Sequence, residues 1–230
     1  MTKRILSIMA LAVILFALFV VMSSTAPFGV DKTTVSHRYI YQGVKETGSA
    51  NLVTAVVLNY RGFDTLGEVT VLFVAATGVG AALYSIRNPP RKKSKVEASL
   101  IVKTASKLLF PMMLLFGAYI FIHGHLTPGG GFQGGAVIAT AFVFKYVSDT
   151  RYSIDHIAFT KMESAAGMVF AGLGITGLII GGYFLMNILP NGTPGDLISA
   201  GILPIIYIAI GIKVGAELTG ILDRMMGVES

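Results

Sequence analysis

The chain is predicted to be an all-α integral membrane protein. About six transmembrane helices are expected, with both termini inside, a short interfacial helix and a glycine-rich, partly re-entrant loop. Three observations predict this. Of the 230 residues, 53% are hydrophobic and 13% charged, with a mean hydropathy of +0.72; soluble domains carry about 25% charged residues. Long apolar runs recur at the length a membrane helix needs, about 20 residues. The basic residues collect in short segments between those runs, as cytoplasmic loops do. The net charge of +6 therefore reports topology and not affinity for nucleic acid.

Each element follows in order. Thr2-Lys-Arg4 leads into the apolar run Ile5–Met22. That run exceeds the roughly 7–15 apolar residues of a signal peptide, so it reads as an uncleaved first span with its N-terminus inside. Ser23–Gln42 is polar and reads as an external loop, with His37 solvated. Leu52–Leu58 is apolar but too short to cross, which predicts a short helix at the outer interface, broken near Gly62. The second span then covers Asp64–Ile86. Arg87–Lys95 holds five basic residues, and its Pro89 and Pro90 stop the helix. It is the natural boundary between a two-span element at 1–90, a basic linker at 91–98 and a four-span domain at 99–230.

The third span is Ser99–Ile122, with Lys103 and Lys107 in its first turns and a kink expected at Pro111. His123–Gly135 follows, rich in glycine. Such backbone survives in a membrane only where protein or a wet cavity satisfies its amides. The fourth span, Phe132–Tyr146, is short and crosses only if that glycine passage itself dips into the bilayer. Lys145–Lys161 returns inside, with His156 as a bystander beside Asp155. The fifth span is Glu163–Ile188, where Glu163 favours the helix N-terminus. Gly177 and Gly181 form a small-residue pair suited to close helix approach. Asn191–Asp196 is an external turn. The sixth span is Leu197–Leu222, with Pro204 and a second small pair, Gly211 and Gly215.

Chemistry is sparse. There is no cysteine, which removes disulfides, thiolate clusters and Cys-ligated zinc. No nucleophile–base arrangement and no phosphate-binding lysine loop is visible, so the chain is not expected to be an enzyme by itself or to bind a cofactor. Gly129, Gly131 and Gly134 satisfy G-x-G-x-x-G only formally, because no βαβ unit surrounds them. Ionisable residues within spans are costly and usually functional. Arg61, Asp64, Thr65 and Glu68 share one helix face; Glu68 could carry a proton or bind Na⁺. Lys103 with Lys107, and Lys213 with Glu217, are further pairs four residues apart. They read either as snorkelling or structural ion pairs, or as stations on an ion path. His123 and His125, at the mouth of the glycine passage, could shuttle protons. No stable metal site is expected.

His123-Gly-His-Leu-Thr-Pro-Gly-Gly-Gly-Phe-Gln-Gly-Gly135, with the spans around it, resembles the B-type (MnhB-like) component of Mrp-type sodium/proton antiporters. It equally resembles the matching component of archaeal membrane-bound hydrogenase and sulfane sulfur reductase complexes. This likeness covers about Ser99–Arg224. Gly48–Glu68 is similar to a second element of such modules, found near the C-terminus of the large A-type antiporter component or as a separate small hydrogenase protein (MbhE-like). The resemblance implies a fusion of the two elements, placed in a prokaryotic and archaeal cell membrane. Implied partners are other Mrp-like antiporter subunits, complex I-type proton-pumping subunits, hydrogenase-like subunits and membrane lipid. It makes Glu68 the intramembrane carboxylate tied to Na⁺ translocation, with Asp64 and Arg61 in the same motif. His125, Pro128 and Phe132 match loop positions that matter in the B-type component. The expected function is a contribution to a Na⁺ (or H⁺) path. The alternative is a helper that only positions its neighbours.

Overall fold

A computed structural model describes residues 2–24, 35–86, 97–149 and 152–226. The described residues are all helical or irregular, with no strand among them. The elements are α1 (Thr2–Ser24), α2 (Val35–Thr47), α3 (Leu52–Thr54) running on as a π-helical turn (Ala55–Tyr60), α4 (Gly62–Ile86), α5 (Leu100–Ile122), α6 (Gly131–Ser148), α7 (His156–Gly181) and α8 (Leu203–Met226). The chain divides into two units, Met1–His37 and Arg38–Ser230. In the first, α1 exposes its apolar residues on every side from Ile8 to Met22.

In the second unit, four helices among the described residues are long and apolar enough to cross a membrane: α4 over Gly62–Leu83, α5, α7 and α8. Large apolar side chains dominate their exposed faces, among them Val71 and Val74 of α4, Leu115 of α5 and Ile179 of α7. α8 is the centre, with 56% of its apolar window buried against 11–22% for the other three. Its Leu203, Ile206, Ile210 and Val214 form a core with Leu58, Val69 and Phe170. α6 is wedged between α5 and α8. A Cβ at Gly134 would lie 2.6 Å from the Gly117 carbonyl oxygen, and one at Gly135 would lie 2.9 Å from both the Gly211 carbonyl oxygen and the Gly215 amide nitrogen. Backbones approach this closely only where side chains are missing. The pair Gly211 and Gly215 therefore serves helix packing. Gly177 and Gly181 instead face Met186, in the irregular segment after α7.

Several boundaries differ from those read in the sequence. Val35–Gln42, expected as part of an external loop, belongs to helix α2, which runs on to Thr47. It is tethered by Arg38 Nη2 to Glu46 Oε1 at 3.1 Å, by the Tyr60 hydroxyl donating to Glu46, and by stacking of Tyr39 on Tyr60. α7 starts at His156, seven residues before the expected Glu163, because the Asp155 side chain caps it by accepting from the amides of Ile157 and Ala158. It stops at Gly182, whose φ of +85° ends the helix in a left-handed turn. α8 begins at Leu203 instead of Leu197. α5 runs on through Pro111 as one helix. The linker residues 91–96 lie outside the described residues.

Candidate functional site

The glycine passage joins α5 to α6, and three short polar side chains from Ser49–Thr54 hold it. The Asn51 side chain donates to the carbonyls of Gly124 (2.8 Å) and Thr127 (2.9 Å), and its own oxygen caps α3. The Ser49 hydroxyl donates to the His125 carbonyl at 2.9 Å, and the Asn51 amide to the same oxygen at 3.0 Å. The Thr54 hydroxyl donates to the Gly124 carbonyl at 2.6 Å and lies 2.9 Å from the Tyr207 hydroxyl of α8. These bonds answer the accounting that non-helical buried backbone demands. Gly124 is required because a Cβ there would meet the Tyr207 ring at 2.8 Å. Nothing in the sequence alone assigns a role to Ser49, Asn51, Thr54 or Tyr207. Their only sequence signal is a cluster of small polar residues ahead of a helix, which usually means no more than a cap.

Within the passage, His125 is fully buried; its ring nitrogens lie beside the backbone of Ile122, Asp196 and Leu197 without a well-formed hydrogen bond among the described residues. His123 is half-buried, stacks on Tyr119 at 4.2 Å and places Nδ1 3.0 Å from the Tyr119 carbonyl. Pro128 is exposed, and Phe132 packs against the core.

The other residues singled out in the sequence fall into three separate places. At the start of α4, Arg61 Nε lies 2.6 Å from Asp64 Oδ2, both largely exposed. Glu68 is exposed and joins no ion pair among the described residues. Of the expected Arg–Asp–Glu network, the described residues show the Arg61–Asp64 pair.

The second place is interior. Lys213 Nζ of α8 lies 3.3 Å from Glu163 Oε1 of α7 and 3.5 Å from Glu217 Oε2, one turn along α8. The Glu217 side chain is 1% exposed, and among the described residues its carboxylate meets no polar partner but Lys213. Lys213 also sits 5.1 Å from the centre of the Phe73 ring of α4. Glu163 joins because α7 starts early, which puts it about 10 Å into the helix at 1.5 Å per residue. Two carboxylates against one ammonium leave this group one negative charge in excess.

The third place is a cleft at the start of α5, where Lys103 and Lys107 meet Lys145 of α6. Lys103 Nζ pairs with Glu97 at 2.8 Å. A further contact was not foreseen. His156, expected to be a bystander, places Nε2 3.0 Å from Asp223 Oδ2, while the Tyr146 hydroxyl donates to Asp223 Oδ1 at 2.6 Å. Asp223 is fully buried and ties α6, α7 and α8 together at the end opposite the glycine passage. Among the described residues, no three His, Asp or Glu side chains converge as a metal site.

Comparisons with known proteins bear on this arrangement. A domain related to the MnhB subunit of Na⁺/H⁺ antiporter matches residues 101–220, and the MbhE family, the E subunit of MBH, matches residues 2–99. An uncharacterized protein of Methanocaldococcus jannaschii is 34% identical over 216 residues, covering 81% of this chain and 82% of its own. In the solved membrane-bound sulfane sulfur reductase, an archaeal respiratory membrane complex, one chain is 51% identical, with 98% of each chain covered and a TM-score of 0.77. A chain of the Mrp complex from Dietzia sp. DQ12-45-1b shares the fold with a TM-score of 0.71 at 24% identity. That match covers 97% of this chain and 26% of the longer one.

Proposed function

Because the chain belongs to the family of MnhB-related Na⁺/H⁺ antiporter subunits, with an MbhE element fused ahead of the MnhB domain, we propose that it is a membrane subunit contributing to a Na⁺ (or H⁺) path in a large multi-subunit complex. It is a multi-pass prokaryotic membrane protein. The host complex is an archaeal respiratory assembly of the sulfane sulfur reductase or hydrogenase kind, with Mrp-like and complex I-type pumping subunits beside this chain. The chain itself holds no cofactor, and Na⁺ is cargo. The end carrying Lys103, Lys107 and Lys145 faces the cytoplasm by the positive-inside rule.

The observation that carries this reading is Glu217. An ionised carboxylate is expensive in a membrane interior. Here two carboxylates share one lysine; Glu217 Oε1 has no hydrogen-bond partner among the described residues and Oε2 has only the 3.5 Å contact with Lys213. The cheapest way to neutralise the excess charge is a cation on Glu217, either a proton or Na⁺. Lys213 tunes the site, since an adjacent ammonium weakens the hold on a cation.

Glu68 supports the same reading from outside. It lies about 9 Å along α4 from Gly62 at 1.5 Å per residue, on an exposed flank of a helix apolar enough to span. A carboxylate facing lipid there costs several kcal/mol (about 2.5–3.5 on insertion scales), so this flank faces a neighbouring subunit or water. Glu68 and Phe73 point about 140° apart around α4 at 100° per residue. Glu68 and the Lys213 group therefore serve the path from opposite flanks of one helix. His125, fully buried beside the backbone of Ile122, Asp196 and Leu197, is the remaining interior candidate, with His123, Pro128 and Phe132 in the same passage.

A second reading, a helper that only positions neighbours, is favoured by the dense clamp of Ser49, Asn51 and Thr54 on the passage. Reconstituting the complex with Glu217→Gln and with Glu68→Gln separates the two. An assembled complex that has lost Na⁺-driven proton movement supports the path. Normal transport by both variants supports the helper.

A further inference from the structure

The segment between α7 and α8 closes over the glycine passage. Its residues 192–198 are all exposed, yet the backbone of Asp196 and Leu197 lies beside the imidazole of His125, which is fully buried. One layer of chain therefore separates that ring from the surface. The loop is pinched at its base. The Ala200 amide donates to the Asn191 carbonyl at 2.7 Å, and the Asn187 side chain donates to Asn191 Oδ1 at 2.8 Å while accepting from the Ile202 amide at 3.1 Å. Asn191 in turn donates to the Glu46 carbonyl at 2.8 Å, which fixes the base to α2. Ala200, fully buried, is held left-handed at φ +62°, a conformation that persists only where the surroundings dictate it. Ends held together around a compact surface excursion make an Ω-loop, a form that is frequently functional.

The base is firm and the span above it is not. Among the described residues, the hydrogen bonds of the span stay inside the loop. The Asp196 amide donates to the Thr193 carbonyl at 3.1 Å, and the Ser199 hydroxyl to the Asp196 carbonyl at 2.7 Å. Leu197 and Ile198, 52% and 92% exposed, bury little. Segments with few buried apolar contacts sit at the low end of local stability. What lies beneath gains from opening. The ring nitrogens of His125 make no well-formed hydrogen bond among the described residues, and a buried polar group without one has lost its hydration uncompensated. Water admitted under the loop restores those bonds. Gly192 at φ +64° and Gly195 at φ +105° supply backbone freedom inside the loop.

We propose that residues 192–198 form a lid that opens to admit the outer aqueous phase to His125 and closes to seal it, on a fixed base of Asn187, Asn191 and Ala200. The outer side is that of the orientation given above, and the lid's part in transport rests on the reading of His125 as a station on the cation path. Closed, the lid isolates the ring from the outer medium, so that a cation held inside does not leak back outward. Opening needs only the span to lift, because the bonds at its base stay made.

Diethylpyrocarbonate labelling of the assembled complex at fixed pH, read by peptide mass spectrometry, tests this. Half-buried His123 of the same passage is the internal reference. In the wild type, His125 should be modified measurably but more slowly than His123. Gly195→Ala sets no atom against the rest of the chain, because a Cβ there meets nothing within 4 Å, but it strains the closed loop at φ +105°. The variant should raise the His125 rate about tenfold and leave the His123 rate unchanged. Four outcomes overturn the proposal. They are a wild-type His125 as reactive as His123, a wild-type His125 modified only after unfolding, an unchanged His125 rate in the variant, and equal acceleration of both histidines, which would mean that the whole passage loosens. The two wild-type outcomes stand as tests even if the variant fails to assemble. Na⁺-driven proton movement is measured on the same samples. Faster labelling with unaltered transport keeps the lid and removes His125 from the path, whereas unaltered labelling overturns the lid whatever the transport.

Discussion

Replacing Asn51 isolates the clamp on the glycine passage. In the native chain its amide nitrogen holds the carbonyls of Gly124 and Thr127, while its oxygen accepts from the amides of Val53 (3.0 Å) and Thr54 (3.5 Å). Asn51→Ala removes both functions. The cap contributes about 1 kcal/mol and each bond to the passage about 1 kcal/mol. The Thr127 carbonyl is exposed and regains water, and Gly124 keeps its bond from Thr54 at 2.6 Å, so no acceptor is left bare. The total stays near 3 kcal/mol, about 2 of it on the passage. Asn51→Asp keeps the cap but sets a carboxylate oxygen against the Gly124 and Thr127 carbonyls in place of the two donors, so the passage loses at least as much. Hydrogen–deuterium exchange of the assembled complex should then show faster exchange at 123–131 in both variants, by about 30-fold for 2 kcal/mol. Faster exchange at 52–55 is expected in the Ala variant alone. Unchanged exchange at 123–131 in both variants would refute the clamp.

Three further outcomes are expected. Gly135→Val drives a side chain into the contact with Gly211 and Gly215, where even a Cβ would come within 2.9 Å. The loss should exceed about 3 kcal/mol, the upper range of ordinary overpacking, and should appear as a complex that does not assemble at wild-type yield. Lys213→Met strips the partner from the buried Glu217 and the half-buried Glu163 and should lower stability by about 3 kcal/mol; adding Glu217→Gln should restore much of it in a thermal melt, and a strictly additive double variant would show that the pair is not coupled. The α2 tether should depend on pH. Hydrogen bonds from Tyr60 and then Arg38 hold Glu46 below the usual carboxylate range, so the tether is complete above that range and fails as pH falls through it. At the other extreme, burial and then the bond to Glu46 push the Tyr60 hydroxyl up to about 12, so alkaline loss begins only above about pH 10. Amide protection across 35–47, referred to the intrinsic exchange rate at each pH, should fall in acid and stay flat from neutral pH to about 10; flat protection into acid would contradict the tether.

Much of the helical layout was legible because apolar length and helix breakers act locally. Gly62 opens α4 and Gly131 opens α6, while Pro89 and Pro90, expected to stop α4, lie outside the described residues. The pairing of Lys213 with Glu217 followed from four-residue spacing alone. What the sequence hid depends on contacts across the chain. Asn51 meets residues more than 70 positions away, and a polar residue ahead of a helix looks the same whether it caps or clamps. Glu163 looked like an N-terminal residue because the Asp155 cap lay inside a stretch read as polar loop; once the helix starts at His156, the same side chain turns inward to Lys213. His156 and Asp223 are likewise brought together by folding, with no local spacing to announce them.

Occupancy of Glu217 can be read chemically. A membrane-permeant carbodiimide modifies a carboxyl group that is protonated and free, and spares one that holds Na⁺. In the assembled complex, peptide mass spectrometry should find Glu217 modified at low Na⁺, with modification falling as Na⁺ is added or, where H⁺ is the cargo, as pH is raised. Modification of Glu217 that ignores both Na⁺ and pH would mean that the carboxylate exchanges no cation and that the group around Lys213 only braces α7 against α8.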